Sequence, residues 1–393
     1  MNFNNHIKIV LTVLFLVFQT FVWGQEKKTW AQENLDFRGY IKYLNTTQFQ
    51  NFDVTLNDNL IHNRLQLKAY FNEHFTFDIE MRNRMFWGNS LATIPGYATQ
   101  INDTGSHINL GGYIVEQPGL LIHSMVDRLY MDYHTDKWQI TLGRQRINWG
   151  KNLVWNPNDL FNAYSFFDFD YEERPGTDGL RVQYFTSGNS GLELAVNYTE
   201  GWQESTYALK YNFSISNYDV QVLAGQYIDD FVIGTGWEGY LKNVGFKGEL
   251  SYFSPINNDL EDDVFTGSVS FDYYFKNGVS VNIGTLYNSK SQISEGGFLS
   301  LLNSTTSLSP KSLMPNSWSF FGQTSKAFTP ALTGSLAAMY VNEINGIFFM
   351  PQMGYSIAQN WDFDTVGQLV YAETESNYKN IGNAVYLRFR YSF

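Results

Sequence analysis

Eleven arginines carry most of the chemistry legible in this chain, and they are unevenly spaced. Ten fall in segments with strand character and one, Arg174, in a loop. They lie between Arg38 and Arg181 or at Arg388 and Arg390, with none from Val182 to Leu387. At period two, Arg38, Lys42, Arg64, Lys68, Arg82, Arg84, Arg128, Arg181, Arg388 and Arg390 occupy the side of their strands opposite the apolar side. If the last strand pairs with the first, the two groups become neighbours and form a basic wall along one arc. Such a lining guides anionic or hydroxyl-rich solutes. Charge pairing within the wall is the competing reading, because Asp78, Glu80 and Asp132 share those faces. The opposite arc is expected to be lined mostly by Ser, Thr, Asn, Gly and Gln.

A second cluster is acidic. Asp168, Asp170, Glu172 and Glu173 supply the oxygen ligands that calcium prefers, but their spacing is not that of an EF-hand. Arg174 lies beside them, so ordinary salt bridging is the simpler expectation. His62, His74, His107, His123 and His134 show neither metal-ligand nor triad spacing, and the chain has no cysteine. Nothing marks a nucleophile with its base, a metal or a cofactor, and an enzyme is not expected.

The elements that hold these residues must be strands. Residues 1–24 read as a cleaved export signal, with Lys8 before an uncharged run from Ile9 to Trp23. Residues 25–34 read as a short periplasmic segment and 35–393 as the folded body. Removing the signal takes one lysine from the 26 basic residues, leaving 25 against 38 acidic ones, or −13, which argues against nucleic acid as a partner. Aromatics at 17% and charged residues at 16%, with a mean hydropathy of −0.28, suit a wall that is apolar outside and wet inside.

Eighteen strands are expected, opening with Asp36–Gln48, Ile61–Phe71 and Phe75–Trp87 and closing with Trp361–Ala372 and Ile381–Phe393. Val126–His134 and Trp138–Trp149 are the fourth and fifth. Alternate connections are tight, such as Asn72–His74 and Lys276–Gly278, and the very long ones, near 88–125, 150–177 and 289–317, all belong to the other set. Short turns on one rim and long loops on the other describe an antiparallel up-and-down outer-membrane β-barrel, with periplasmic turns and extracellular loops. Eighteen strands at about 4.8 Å spacing and roughly 40° tilt give a diameter near 36 Å. In the last strand Ile381, Val385, Leu387, Phe389, Tyr391 and Phe393 share one face, with Tyr386, Arg388 and Arg390 on the other.

Two stretches carry resemblances. Phe389, Tyr391 and the terminal Phe393 resemble the C-terminal signature by which assembly machinery recognises bacterial outer-membrane barrels. Gly143-Arg144-Gln145-Arg146-Ile147-Asn148-Trp149-Gly150 resembles the "GRQ…WG" strand end of bacterial outer-membrane channels that include alginate-export-type porins. The resemblance implies Arg144 and Arg146 facing the pore. Strict alternation from Trp138 turns both towards lipid, and a bulge near Gly143 would bring them inward. The segment Lys151–Pro175 is too aromatic to lie in water and too irregular for hydrocarbon, so it should fold over or into the barrel mouth. Its carboxylates should then meet Arg128, Arg144 and Arg146.

The reading is thus a porin-like channel in the outer membrane of a Gram-negative bacterium, for small hydrophilic solutes, anionic or carbohydrate-like ones among them. The alternative is a loop-plugged barrel serving as a structural subunit of a larger outer-membrane complex. Expected partners are membrane lipid and lipopolysaccharide, the barrel-assembly machinery, and other outer-membrane proteins or further copies of the chain.

Overall fold

In the computed structural model the residues described are 29–50, 53–94, 96–102, 108–163, 170, 176–186, 188–199, 201–256, 262–290, 309–314, 316–374 and 377–393. Residues 1–24, read above as an export signal, and Asp168, Glu172, Glu173 and Arg174 lie outside them. The chain divides into two units, Met1–Asp36 and Phe37–Phe393. In the first, the short helix α1 (Trp30–Asn34) has a capping box between Thr29 and Gln32.

Nineteen strands follow, eighteen of which close into a ring. They are β1 (Leu35–Gln50), β2 (Asp53–Tyr70), β3 (Phe75–Gly88), β4 (Gly111–Gln117), β5 (Leu120–His134), β6 (Trp138–Gln145), β7 (Thr177–Phe185), β8 (Gly191–Asn197), β9 (Thr206–Ile215) and β10 (Tyr218–Tyr227). The ring continues through β11 (Asp230–Leu241), β12 (Val244–Pro255), β13 (Val264–Tyr274), β14 (Val279–Asn288), β15 (Trp318–Thr329), β16 (Leu332–Val341), β17 (Gly346–Ala358), β18 (Trp361–Thr374) and β19 (Asn377–Ser392). Each ring strand pairs antiparallel with its neighbours in sequence, except that β3 pairs with β5, and β19 returns to β1. The extra strand, β4, runs along the upper edge of β5 above the end of β6. It belongs to the long β3–β5 connection, together with the helices α2 (Asn89–Thr93) and α3 (Tyr97–Asn102).

The expected eighteen-stranded antiparallel barrel is therefore present, with differences at strand ends. β2 begins at Asp53 rather than Ile61, because Asn57, Asp58 and Asn59 have turn composition yet sit in an extended hairpin. There the amide of Asn45 donates to Asn57 and Asn59 Oδ1, at 3.4 and 3.0 Å. β6 stops at Gln145 instead of reaching Trp149.

Alternation sets the two faces. Exposed apolar residues such as Met131, Leu142, Phe231, Ile283, Phe320 and Leu336 alternate with buried polar ones, giving an outer surface fit for lipid. Aromatic pairs band both rims: Phe75–Tyr133 and Trp361–Tyr391 at the short-turn rim (both 4.8 Å between centroids), Tyr287–Trp318 (4.8 Å) and Tyr43–Trp87 (6.2 Å) at the other. The seam closes where Gly39 and Phe393 exchange two 2.9 Å backbone hydrogen bonds. A Cβ on Gly39 would lie 2.8 Å from the Phe393 ring and 2.6 Å from the Arg64 carbonyl oxygen, so glycine is required there. Phe389 and Phe393 are exposed on the outer face, with Tyr391 partly so. Ile381 departs from that face. A register shift leaves it unpaired between Asn380 and Gly382, and it packs against apolar residues inside the barrel.

Candidate pore constriction

After Gln145 the chain leaves the wall and crosses the interior. Ile147 and Trp149, formally a continuation of β6, are buried against the inward faces of β8 to β13. The Trp149 indole N–H donates to Glu193 Oε1 at 2.7 Å, and the Gln221 amide donates to the Trp149 carbonyl, also at 2.7 Å. Glu193 also accepts from Arg181 (2.6 Å) and pairs with Lys210 (3.0 Å).

The next anchor is Glu249 on β12, whose side chain is wholly buried. Its Oε1 accepts the backbone N–H of Lys151 and of Asn152 (3.0 Å for the latter), and its Oε2 accepts that of Asn158 (2.9 Å). One wall carboxylate thus satisfies three donors of an irregular segment that would otherwise be orphaned. The Asn-Pro-Asn-Asp stretch is shaped to match. Asn156 Oδ1 accepts from Asn152 N (2.9 Å), while Asn158 donates to the Thr235 carbonyl (2.9 Å) and accepts from Ser251 (2.7 Å). On β13, Ser268 donates to the Trp155 carbonyl at 2.9 Å.

Apolar packing completes the seat. Ile147, Trp149 and Leu160 form one cluster with Ala195, Leu223, Phe253 and other inward wall residues. Val154 and Trp155 form another with Leu286, Phe321, Met339, Phe348 and Val370, joined by Leu313 and Met314 from the β14–β15 connection. On the far arc many inward positions are small and polar as expected, among them Ser280, Asn282, Gly284, Ser319, Gln323 and Ser325, but Leu286, Phe321, Met339, Phe348 and Val370 interrupt them with a dry surface that Trp155 covers.

The facing arc carries the charges. Lys42 and Arg64 lie inside, as do Arg82, Arg128 and Arg388, and each is buried. Arg64 binds Glu80 and Asp127, and Arg82 also reaches Asp127 at 3.2 Å. Arg84 donates to the Ile101 carbonyl (3.1 Å) and lies 3.2 Å from His123 Nδ1. Lys68 lies over the Tyr70 ring and Arg390 over that of Tyr40. Arg38 is exposed, and Arg181, on β7 two strands beyond the arc, pairs with Glu193. Asp170 bridges from the loop to this arc. Lys42 Nζ reaches its Oδ1 at 2.9 Å and its carbonyl at 2.8 Å, and Arg388 Nη1 lies 3.5 Å from the same carboxylate. Arg388 is held in turn by Asp364 at 3.0 Å. The loop carboxylate thus meets Lys42 and Arg388.

Arg144 sits within the wall. The register between β5 and β6 carries no inserted residue; Gly143 instead adopts φ +120°, where a side chain would run into the Leu129 carbonyl. Arg144 grips Asp178 of β7 with two 2.7 Å bonds and donates to the carbonyls of Val126 (3.1 Å) and Ile108. It seals the notch left where β6 ends. Arg146 is exposed. The bulge lies one strand earlier, at Asp127, and so two consecutive charged residues, Asp127 and Arg128, are both buried. An Asp-Arg pair in mid-strand was the available signal for it. Glu193, Lys210 and Glu249 were also missed, although Glu193 and Lys210 are each the one charge on their strands.

Solved structures share this fold. Acinetobacter baumannii OccAB2 superposes with a TM-score of 0.58 at 10% identity, over 92% of this chain and 98% of that one. Pseudomonas aeruginosa OprD gives 0.56 at 10% identity, over 92% and 95%, and OccK11 of the same organism 0.56 at 8%, over 91% and 96%. The fold is that of the OprD and Occ outer-membrane porins. No protein-family model and no curated protein sequence matches the chain, so its likeness to these porins is one of fold. In the porin fold seen here, a loop docked on one arc faces a basic arc across the lumen.

Proposed function

We propose that this protein is an outer-membrane channel of a Gram-negative bacterium, passing small hydrophilic solutes along the basic arc formed by β19, β1, β2, β3 and β5. The observation that carries the reading is where the loop docks. Glu193 and Glu249 hold it against β8 to β13 and Trp155 seats it on β14 to β18, so the remaining arc is the one that carries Lys42, Arg64, Arg82, Arg84 and Arg388, reached from the loop by Asp170. On that arc the inward cations outnumber the described inward carboxylates Asp78, Glu80, Asp127 and Asp132, which favours solutes bearing negative charge or many hydroxyls. The likeness of Gly143–Gly150 to the strand end of alginate-export-type channels supports the same solute class. Lipid and lipopolysaccharide would contact the outer face, and the assembly machinery would read Phe389, Tyr391 and Phe393.

A second reading has its own support. Two apolar clusters inside the barrel and the Asp170 bridge favour a loop-plugged barrel that acts as a subunit of a larger assembly. Conductance of the purified protein in planar bilayers, with reversal potentials in a salt gradient, separates the two. Discrete openings with anion preference support the channel; electrical silence together with co-purifying partners supports the subunit.

A further inference from the structure

Beneath the constriction loop lies a cavity of about 270 Å³. Asn148, Trp149 and Lys151 of the loop border it above, and inward residues of β9 and β10 form its side. It reaches Asn189, in the tight turn between β7 and β8, and so approaches the short-turn rim. It is smaller than the roughly 300–1,000 Å³ usual for drug-sized ligands. A single sugar-sized ring fits that scale.

The charged groups around it already have partners. Lys210 is 3.0 Å from Glu193 and stands over the Trp149 ring at 4.8 Å. Lys151 and Lys247 share Glu238, at 3.9 and 2.6 Å, and Asp219 on the cavity wall accepts from Ser214. The amides differ. Asn189 and Asn212 make no hydrogen bond to the described residues, and Asn148 uses only its oxygen, accepting from Gly150 N–H at 3.3 Å. Three side-chain amides from three separate elements thus line one small space, Asn212 half-buried and Asn148 and Asn189 exposed to the water in it. An amide offers a donor and an acceptor side by side, as neighbouring hydroxyls on a ring do.

We propose that this cavity is a binding subsite for a neutral, polyhydroxylated solute of single-ring size, held by Asn148, Asn189 and Asn212. The proposal rests on the channel reading and refines it. The basic arc admits solute, and the cavity beyond the constriction, whose lysines are held in ion pairs, selects for hydroxyls rather than for negative charge.

Saturation-transfer NMR on the purified protein in detergent micelles tests it, with glucose as probe and glucuronate as its charged counterpart. Glucose should bind with a dissociation constant of about 1–10 mM, weak enough to release solute in transit. Asn212→Leu and Asn189→Leu should each weaken binding about tenfold, the worth of one hydrogen bond, while heat-modifiable gel migration reports that each variant still folds. Glucuronate should bind no more tightly than glucose. Absence of transfer at about 100 mM glucose, unchanged affinity in both variants, or clearly tighter glucuronate binding overturns the proposal. Failure of the channel reading appears separately, as electrical silence in bilayers.

Discussion

Replacing Glu249 by alanine should unseat the constriction loop without opening the wall. The Glu249 carboxylate is the acceptor for the N–H groups of Lys151, Asn152 and Asn158, of which Asn158, like Glu249 itself, is fully buried. A buried donor left unmet costs about 1–3 kcal/mol, and bonds to a charged acceptor fall at the upper end. If water re-solvates two of the three, the remaining penalty is still about 2 kcal/mol. At 1.4 kcal/mol per decade, that raises the unseated fraction of the loop roughly thirtyfold. Glu249→Gln should have a smaller effect, because its oxygen still accepts from Lys151 and Asn152 while its amino group confronts the Asn158 N–H. Two readouts apply: open-channel current noise in planar bilayers, and tryptic cleavage after Lys151 in micelles. Both should rise in the order wild type, Glu249→Gln, Glu249→Ala. If Glu249→Ala leaves conductance, noise and tryptic resistance unchanged, the loop is held by its apolar clusters and the carboxylate anchor is incidental.

Asp170→Asn should weaken the bridge to Lys42 and Arg388, raising single-channel conductance and shifting the reversal potential towards anions, because two buried cations lose their shared counter-charge. Gly39→Leu should lower the yield of heat-modifiable barrel, since its side chain would collide with the Phe393 ring across the closing seam; normal yield would show that the seam tolerates it. Tags placed near Asn102 should be reached by antibody on intact cells, and tags at Lys276 should be hidden, the reverse pattern refuting the strand direction. A tag at Asn162 should disrupt the protein instead, because Asn162 is buried and bonded to Ile147 N–H (2.8 Å) and to Thr177 (3.0 Å).

The wall was legible in the sequence because lipid on one side and water on the other impose period two, and the tight turns punctuate it. What escaped were the places where the chain breaks that period. Ile381 faces inward through a register shift, Asp127 through a bulge, and Arg144 fills a gap in the wall that exists only because β6 ends early. None of these follows from counting residues by twos. The loop's need for shelter was readable from Trp155 and Phe161, but its landing place was not. That depended on inward apolar residues such as Phe253, Phe321 and Phe348, which alternation alone cannot tell from lipid-facing ones when both faces of a strand are apolar.

Glu249 grips its loop by main-chain amides, and this separates how the loop is fastened from what it presents. All three of its donors are peptide groups, which every residue but proline supplies. A substitution at Lys151 can therefore change the charge offered to a passing solute and leave that clamp in place. The barrel is in this sense a mounting with interchangeable fittings, in which drift at one or two loop positions retunes what passes while the expensive part, eighteen strands in register, stays as it is.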